Sequence, residues 1–116
     1  MVSRTIADLE TDTNPENVGK SLENAGAKPE IAKVMKTQKD NQDIINVMDK
    51  AKTNPEIVQK LSDKLIIAEN EDDVADALVE ADLESDLIGL TDPVERKKLQ
   101  DEAKIAVCYM RSDLKA

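Results

Sequence analysis

The 116-residue chain has no histidine, phenylalanine or tryptophan, and only one tyrosine, Tyr109, and one cysteine, Cys108. Without histidine it lacks the commonest general base and the commonest metal ligand. Ser/His and Cys/His nucleophile pairs cannot be built, nor can the Glu-x-x-His pattern of helical di-iron sites. A lone cysteine closes no internal disulfide, so a reducing, cytoplasmic setting is expected, or the inside of a virus particle or other intracellular assembly. A core without large aromatic side chains is thin, which favours a partner or oligomerisation. No apolar run approaches bilayer-spanning length, and Met1-Val2-Ser3-Arg4-Thr5 holds no apolar signal core. The three glycines, Gly19, Gly26 and Gly89, are isolated and form no phosphate loop.

Basic residues are missing from a long stretch. Between Glu69 and Glu95 there is no Lys or Arg, while the formal net charge of the chain is −9. Such a balance argues against direct binding to nucleic acid or to an anionic membrane. Asp82-x-Glu84-x-Asp86 begins like a calcium loop, but Leu87 stands where the turn needs Gly and Pro93 where a bidentate Glu is required. Neither metal nor cofactor is expected. Acid pairs such as Asp72 with Asp76, or Asp76 with Glu80, read as a solvated helix face. Cys108 lies in an apolar turn, far from a helix N-terminus, and is expected to be a buried, inert thiol.

What the chain does contain is a short repeat. Asn14-Pro15-Glu16-Asn17-Val18, Lys28-Pro29-Glu30-Ile31-Ala32, Asn41-Gln42-Asp43-Ile44-Ile45 and Asn54-Pro55-Glu56-Ile57-Val58 start 14, 13 and 13 residues apart. Each reads as a helix start. Asn14 and Asn54 can cap, because the side-chain oxygen accepts from an early free amide. Proline at the first helical position loses no hydrogen bond. The following acid meets the positive end of the helix dipole. Helices this short are unstable alone and must bury an apolar stripe on their neighbours.

The spacing predicts a first helix from Ser3 carrying Ile6 and Leu9, then one through Val18, Leu22 and Ala25 that stops at Gly26. Helices follow over Pro29 to about Thr37, Asn41 to about Lys52, and from Pro55 through Leu61, Leu65 and Ala68. Gly19 should weaken its helix by about 1 kcal/mol relative to Ala. Val74, Ala75, Leu78, Val79, Leu83 and Leu87 predict an acidic amphipathic helix ended by Gly89. A last helix runs from Pro93 to about Ser112, with Leu99, Ala103, Ala106 and Met110 as its stripe and Asp92-x-x-Glu95 resembling a capping box. Ile105 to Met110 is apolar all round, so it should lie inside the domain or against another chain. No segment alternates as a strand does. The expectation is one all-α domain of six or seven helices: a short-helix repeat over 14–68, then an acidic helix and a C-terminal helix over 69–116.

From Pro29 to Asp63 the pattern resembles the aspartate-proline repeat domains of heat-shock organising co-chaperones and ubiquilins. The matching pieces are Lys28-Pro29-Glu30-Ile31, Val34-Met35, Asn41-Gln42-Asp43-Ile44, Val47-Met48 and Asn54-Pro55-Glu56-Ile57-Val58. The chain departs from that pattern at Gln42, which replaces a Pro, and in holding only four methionines. The resemblance implies a groove that holds an apolar helix of another protein. Its lining here would be Ile31, Val34, Met35, Ile44, Val47, Met48, Ile57 and Leu61.

The functional expectation is therefore a non-enzymatic protein–protein interaction module, an adaptor or chaperone-like protein. The partner is another protein or further copies of the chain. One alternative is a structural component of a virus particle or other symmetric complex, with Ile105, Val107, Tyr109 and Met110 as the assembly contact. Another is an acidic inhibitor imitating nucleic acid through Asp72, Asp73, Asp76, Glu80 and Glu84. Lys28, Lys33, Lys36 and Lys39 form a basic face, so the acidic block could meet internal or external cations.

Overall fold

A computed structural model describes residues 14–115; the helix expected around Ser3, Ile6 and Leu9 lies outside them. The described residues form six α-helices and no strand: α1 (Pro15–Asn24), α2 (Pro29–Thr37), α3 (Gln42–Ala51), α4 (Pro55–Ile67), α5 (Glu71–Leu87) and α6 (Pro93–Lys115). The fold class is all-α, as the periodicity predicts.

Side-chain caps start most of these helices. Asn14 Oδ1 accepts from the Glu16 amide at 2.9 Å, Asn41 Oδ1 from Asp43 at 3.0 Å, and Asn54 Oδ1 from Glu56 at 3.0 Å. Asn70 does the same for α5, accepting from the Asp73 amide at 3.1 Å, and Asp92 for α6, accepting from Val94 at 3.0 Å. Lys28 has no acceptor to offer, so α2 starts on Pro29 without a side-chain cap. Gly26 and Gly89 take φ of 101° and 78°, the left-handed turn that ends α1 and α5 at no steric cost.

The short helices each contribute one stripe. Val18 and Leu22 of α1, Ile31 and Met35 of α2, Ile44 and Met48 of α3, and Val58, Leu61 and Leu65 of α4 are buried in one continuous core. Burying such a side chain contributes about 1.5–3 kcal/mol, which is what holds helices too short to persist alone. α1 packs on α2, and here Gly19 has a role beyond weakening a helix. A Cβ on it would lie 2.7 Å from the Ala32 carbonyl oxygen and 2.8 Å from Lys36 Cγ. The missing side chain is what lets the two helix backbones come together.

α5 is the hub, touching α3, α4 and α6 and, less closely, α2. Val74, Ala75, Ala77, Leu78, Val79 and Ala81 are buried, and they spread over several faces of the helix. Three alanines among them let neighbours approach on more than one side. The acidic residues between are only partly exposed. They are not a bare solvated face, because cations from three other helices reach them. Lys50 of α3 bonds Asp82 at 2.8 Å and Asp86 at 3.1 Å. Lys60 of α4 bonds Glu84 at 2.9 Å, and Lys64 bonds Glu80. Arg111 of α6 meets Asp76 at 2.9 Å and Lys115 meets Asp72 at 3.0 Å. As the cation numbers rise along α4 and α6, their partners fall along α5, so both helices run antiparallel to the hub.

Candidate interaction surface

The residues expected to line a helix-binding groove do not form one in this conformation. Met35 and Met48 are 0% and 2% exposed, and Ile31, Ile44, Val47, Ile57 and Leu61 are buried with them. Val34 alone is partly exposed, packed against the same core. The physical reason is α1 packed on α2, and α5 on α3 and α4. The alanine-rich faces of α5 lie over the stripes of α3 and α4 and take the place a guest helix would occupy. The repeat supplies the walls of a closed core.

The C-terminal helix behaves in the opposite way. The Arg96 guanidinium turns back to donate to the carbonyls of Leu90 at 2.7 Å and Leu87 at 3.3 Å, fixing the entry angle of α6. The helix then packs on α5 through Ala103, Val107, Met110 and Leu114, flanked by the Arg111 and Lys115 ion pairs. These anchors share one side. Leu114, two residues beyond the predicted end of the helix, is among them, and α6 reaches Lys115.

Of the expected assembly contact, Met110 is buried and Val107 half-buried against α5. Ile105 and Val94 stand on the far side, 60% and 73% exposed, and Tyr109, 71% exposed, stands beside them at the edge turned toward α3. Ala106, expected on the packing stripe, is exposed. Cys108 is exposed as well, which corrects the expectation of a buried thiol. An apolar hexapeptide on a helix with one covered side leaves most of its residues outside, here Ile105, Ala106, Cys108 and Tyr109. Cys108 therefore sits in solvent, with its thiol 3.7 Å from the Lys104 carbonyl.

Val47, from the expected groove, and Tyr109 and Met110, from the expected assembly contact, share one cleft. They border a shallow cleft between α3 and α6 whose floor is Val79 of α5, with Asp43, Lys50, Asp82 and Asp113 around it. Lys50 is already committed to Asp82 and Asp86, and these contacts raise its pKa above the ordinary value, the bond to Asp82 contributing most. Asp76 likewise raises the pKa of Arg111, chiefly by accepting its hydrogen bonds.

The same ion pairs bear on the mimicry alternative. Asp72, Asp76, Glu80 and Glu84 are each paired within the chain, and Asp73 accepts from the Glu69 amide at 2.9 Å. An array of phosphate-like charges needs free carboxylates, and these are engaged. The cations that engage them are not the expected basic face. Within that face, Lys36 pairs with Glu23 of α1 at 2.8 Å.

The chain matches no family model, no curated protein and no solved structure. Among the described residues, no helix is long and apolar enough to cross a membrane.

One feature of this surface escaped the sequence reading. The outward position of Ile105 and Tyr109 depends on which side of α6 meets α5. The cation at Arg111, seven residues after Lys104 and opposite an acid-rich helix, was a usable signal for that side.

Proposed function

We propose that the chain is a non-enzymatic helical interaction module, and that its contact surface is the outer face of α6. One observation carries this reading: Val94, Ile105 and Tyr109 stand exposed along one side of a helix whose other side is anchored by packing and ion pairs. Isolated exposed apolar residues are ordinary on a protein surface, but a row of them on one rigid helix, ending in a tyrosine, has the character of an interface anchor. The reading joins the adaptor and assembly-component expectations. The short-helix repeat and α5 serve as the scaffold that presents α6. A groove for a guest helix over Ile31 to Leu61 would require α5 to leave the core.

The test is site-specific crosslinking in cells of the natural source. A photoreactive side chain at position 105 should yield one discrete crosslinked product, whether with the same chain or a different one. The same group at Lys20 on α1, a helix with no substantial contact to α6, should yield none. Absence of any product at 105, or equal products at 105 and 20, overturns the proposal.

A further inference from the structure

The exposed face of α6 carries a pattern that identifies its partner, if the interaction reading above holds. Val94, Lys97, Lys98, Asp101, Glu102 and Ile105 form one continuous patch. Lys97, Lys98 and Glu102 make no ion pair among the described residues, and Asp101 has only a loose, exposed one to Lys104 at 3.8 Å. The order along the helix is apolar, basic, acidic, apolar.

Reversed and laid on itself, that order is complementary. Consider two α6 helices running antiparallel, related by a two-fold axis that passes between Leu99 and Gln100. Val94 then lies opposite the partner's Ile105, and Ile105 opposite the partner's Val94. At 100° per residue, Lys97 and Asp101 share one flank of this face while Lys98 and Glu102 share the other. The two-fold keeps each flank on its own side. Asp101 therefore meets the partner's Lys97, and Glu102 meets the partner's Lys98. Each contact occurs twice, as an isologous interface requires. The patch is also locally neutral, two cations against two acids, on a chain whose net charge of −9 otherwise opposes self-association.

We infer that the occupant of this surface is a second copy of the chain, docked as an antiparallel α6–α6 pair about that axis. The contact spans about three helical turns, at the small end of specific interfaces, so dimerisation is concentration-dependent.

The experiment measures self-association by sedimentation equilibrium over a wide concentration range. Four proteins are compared: wild type, Ile105→Asp, the pair Lys97→Glu with Lys98→Glu, and the pair Asp101→Lys with Glu102→Lys. Circular dichroism checks that each keeps its helicity. Wild type should dimerise. Each variant should weaken dimerisation by about tenfold or more, because apolar contact is lost or like charges face each other. Mixing the two charge-reversed proteins should restore a dimer, a heterodimer in which every facing pair is again opposite in sign. That rescue cannot come from misfolding. A spin label on Cys108 should report a separation of about 25–30 Å across the dimer, since the axis places the two sites about 26 Å apart along the helices. A parallel pair would bring them within about 10 Å. A wild-type dimer insensitive to these variants, a mixture that stays monomeric, or a short label distance overturns the antiparallel pair. A wild type that stays monomeric while position 105 crosslinks to a different protein also overturns it and leaves the interaction module standing. Monomer with no crosslink at all removes both.

Discussion

α1 to α4 and the C-terminal α6 solve the same problem with opposite results. Both are amphipathic and aliphatic. The short helices bury most of their large apolar side chains, Ile67 at the end of α4 being the exposed exception, and no residue of Ile31, Met35, Ile44, Met48 or Leu61 reaches solvent appreciably. α6 is the longest helix, yet Met110 and Leu114 are its only buried residues. The difference is the number of neighbours. Each short helix is flanked by others, α1 by α2, and α3 and α4 by α5, whereas α6 is the outermost element and has α5 alone as a substantial neighbour. Apolar content does not decide burial; position in the packing order does.

The largest test of this contrast lies in the repeat. Met35→Ala and Met48→Ala should each cost about 2–5 kcal/mol, because both leave cavities in a closed core. Urea unfolding measures it. A loss below about 1 kcal/mol at either site would mean that α5 does not cover the array and that the groove is open.

Gly19→Ala comes next. Helix propensity alone favours alanine by about 1 kcal/mol. The close approach to the Ala32 carbonyl reverses the sign, and a loss of about 1–3 kcal/mol is expected as α1 and α2 are pushed apart. A stabilised variant would show that the α1–α2 contact is looser than described.

Alkaline pH acts on the hub. The pKa of Lys50 is raised from its ordinary 10.5, and that of Lys60 is raised too, each chiefly by a hydrogen bond from the ammonium to Asp82 or Glu84. A lysine whose folded-state pKa is raised adds stability that is complete below the unfolded value and fades as pH rises through the folded one. Stability should therefore fall above pH 10.5, and Lys50→Met should remove part of that fall. Lys50 is largely exposed, so its pairs contribute only a few tenths of a kcal/mol. Identical alkaline profiles for the two proteins would dismiss the pairing.

The smallest effect belongs to α6. Cys108→Ser should change stability by less than about 0.5 kcal/mol, since the side chain is in solvent. A thiol reagent should label native Cys108 at a rate near that of the unfolded chain. Slow labelling of a monomeric sample would place the thiol inside.

Helix starts were legible in the sequence because capping is local. Asn14 and Asn54, the prolines after them and the following acids act within one turn, so their chemistry needs no knowledge of the rest of the chain. Gly26 and Gly89 were legible for the same reason. The all-α class, the six described helices and the membership of most core stripes follow from these signals and from period. Even here Asn70 went unnoticed as a cap, although it stands directly before the acids of α5.

Tertiary structure alone decided which faces were covered. Sequence patterns show that Ile31, Met35, Ile44 and Met48 share stripes, but not that α1 would pack on α2 and α5 on α3. They show Ile105 to Met110 as apolar all round, but not that one side would meet α5 while Ile105, Cys108 and Tyr109 stayed outside. They show an acidic block, but not that Lys50, Lys60, Lys64, Arg111 and Lys115 would converge on it from three helices. Each of these depends on contacts between residues far apart in the chain, governed by helix order and approach. One backbone contact, between Gly19 and Ala32, shows the scale at which that order is set: a single missing Cβ turns an apparent weakness of α1 into the condition for its packing.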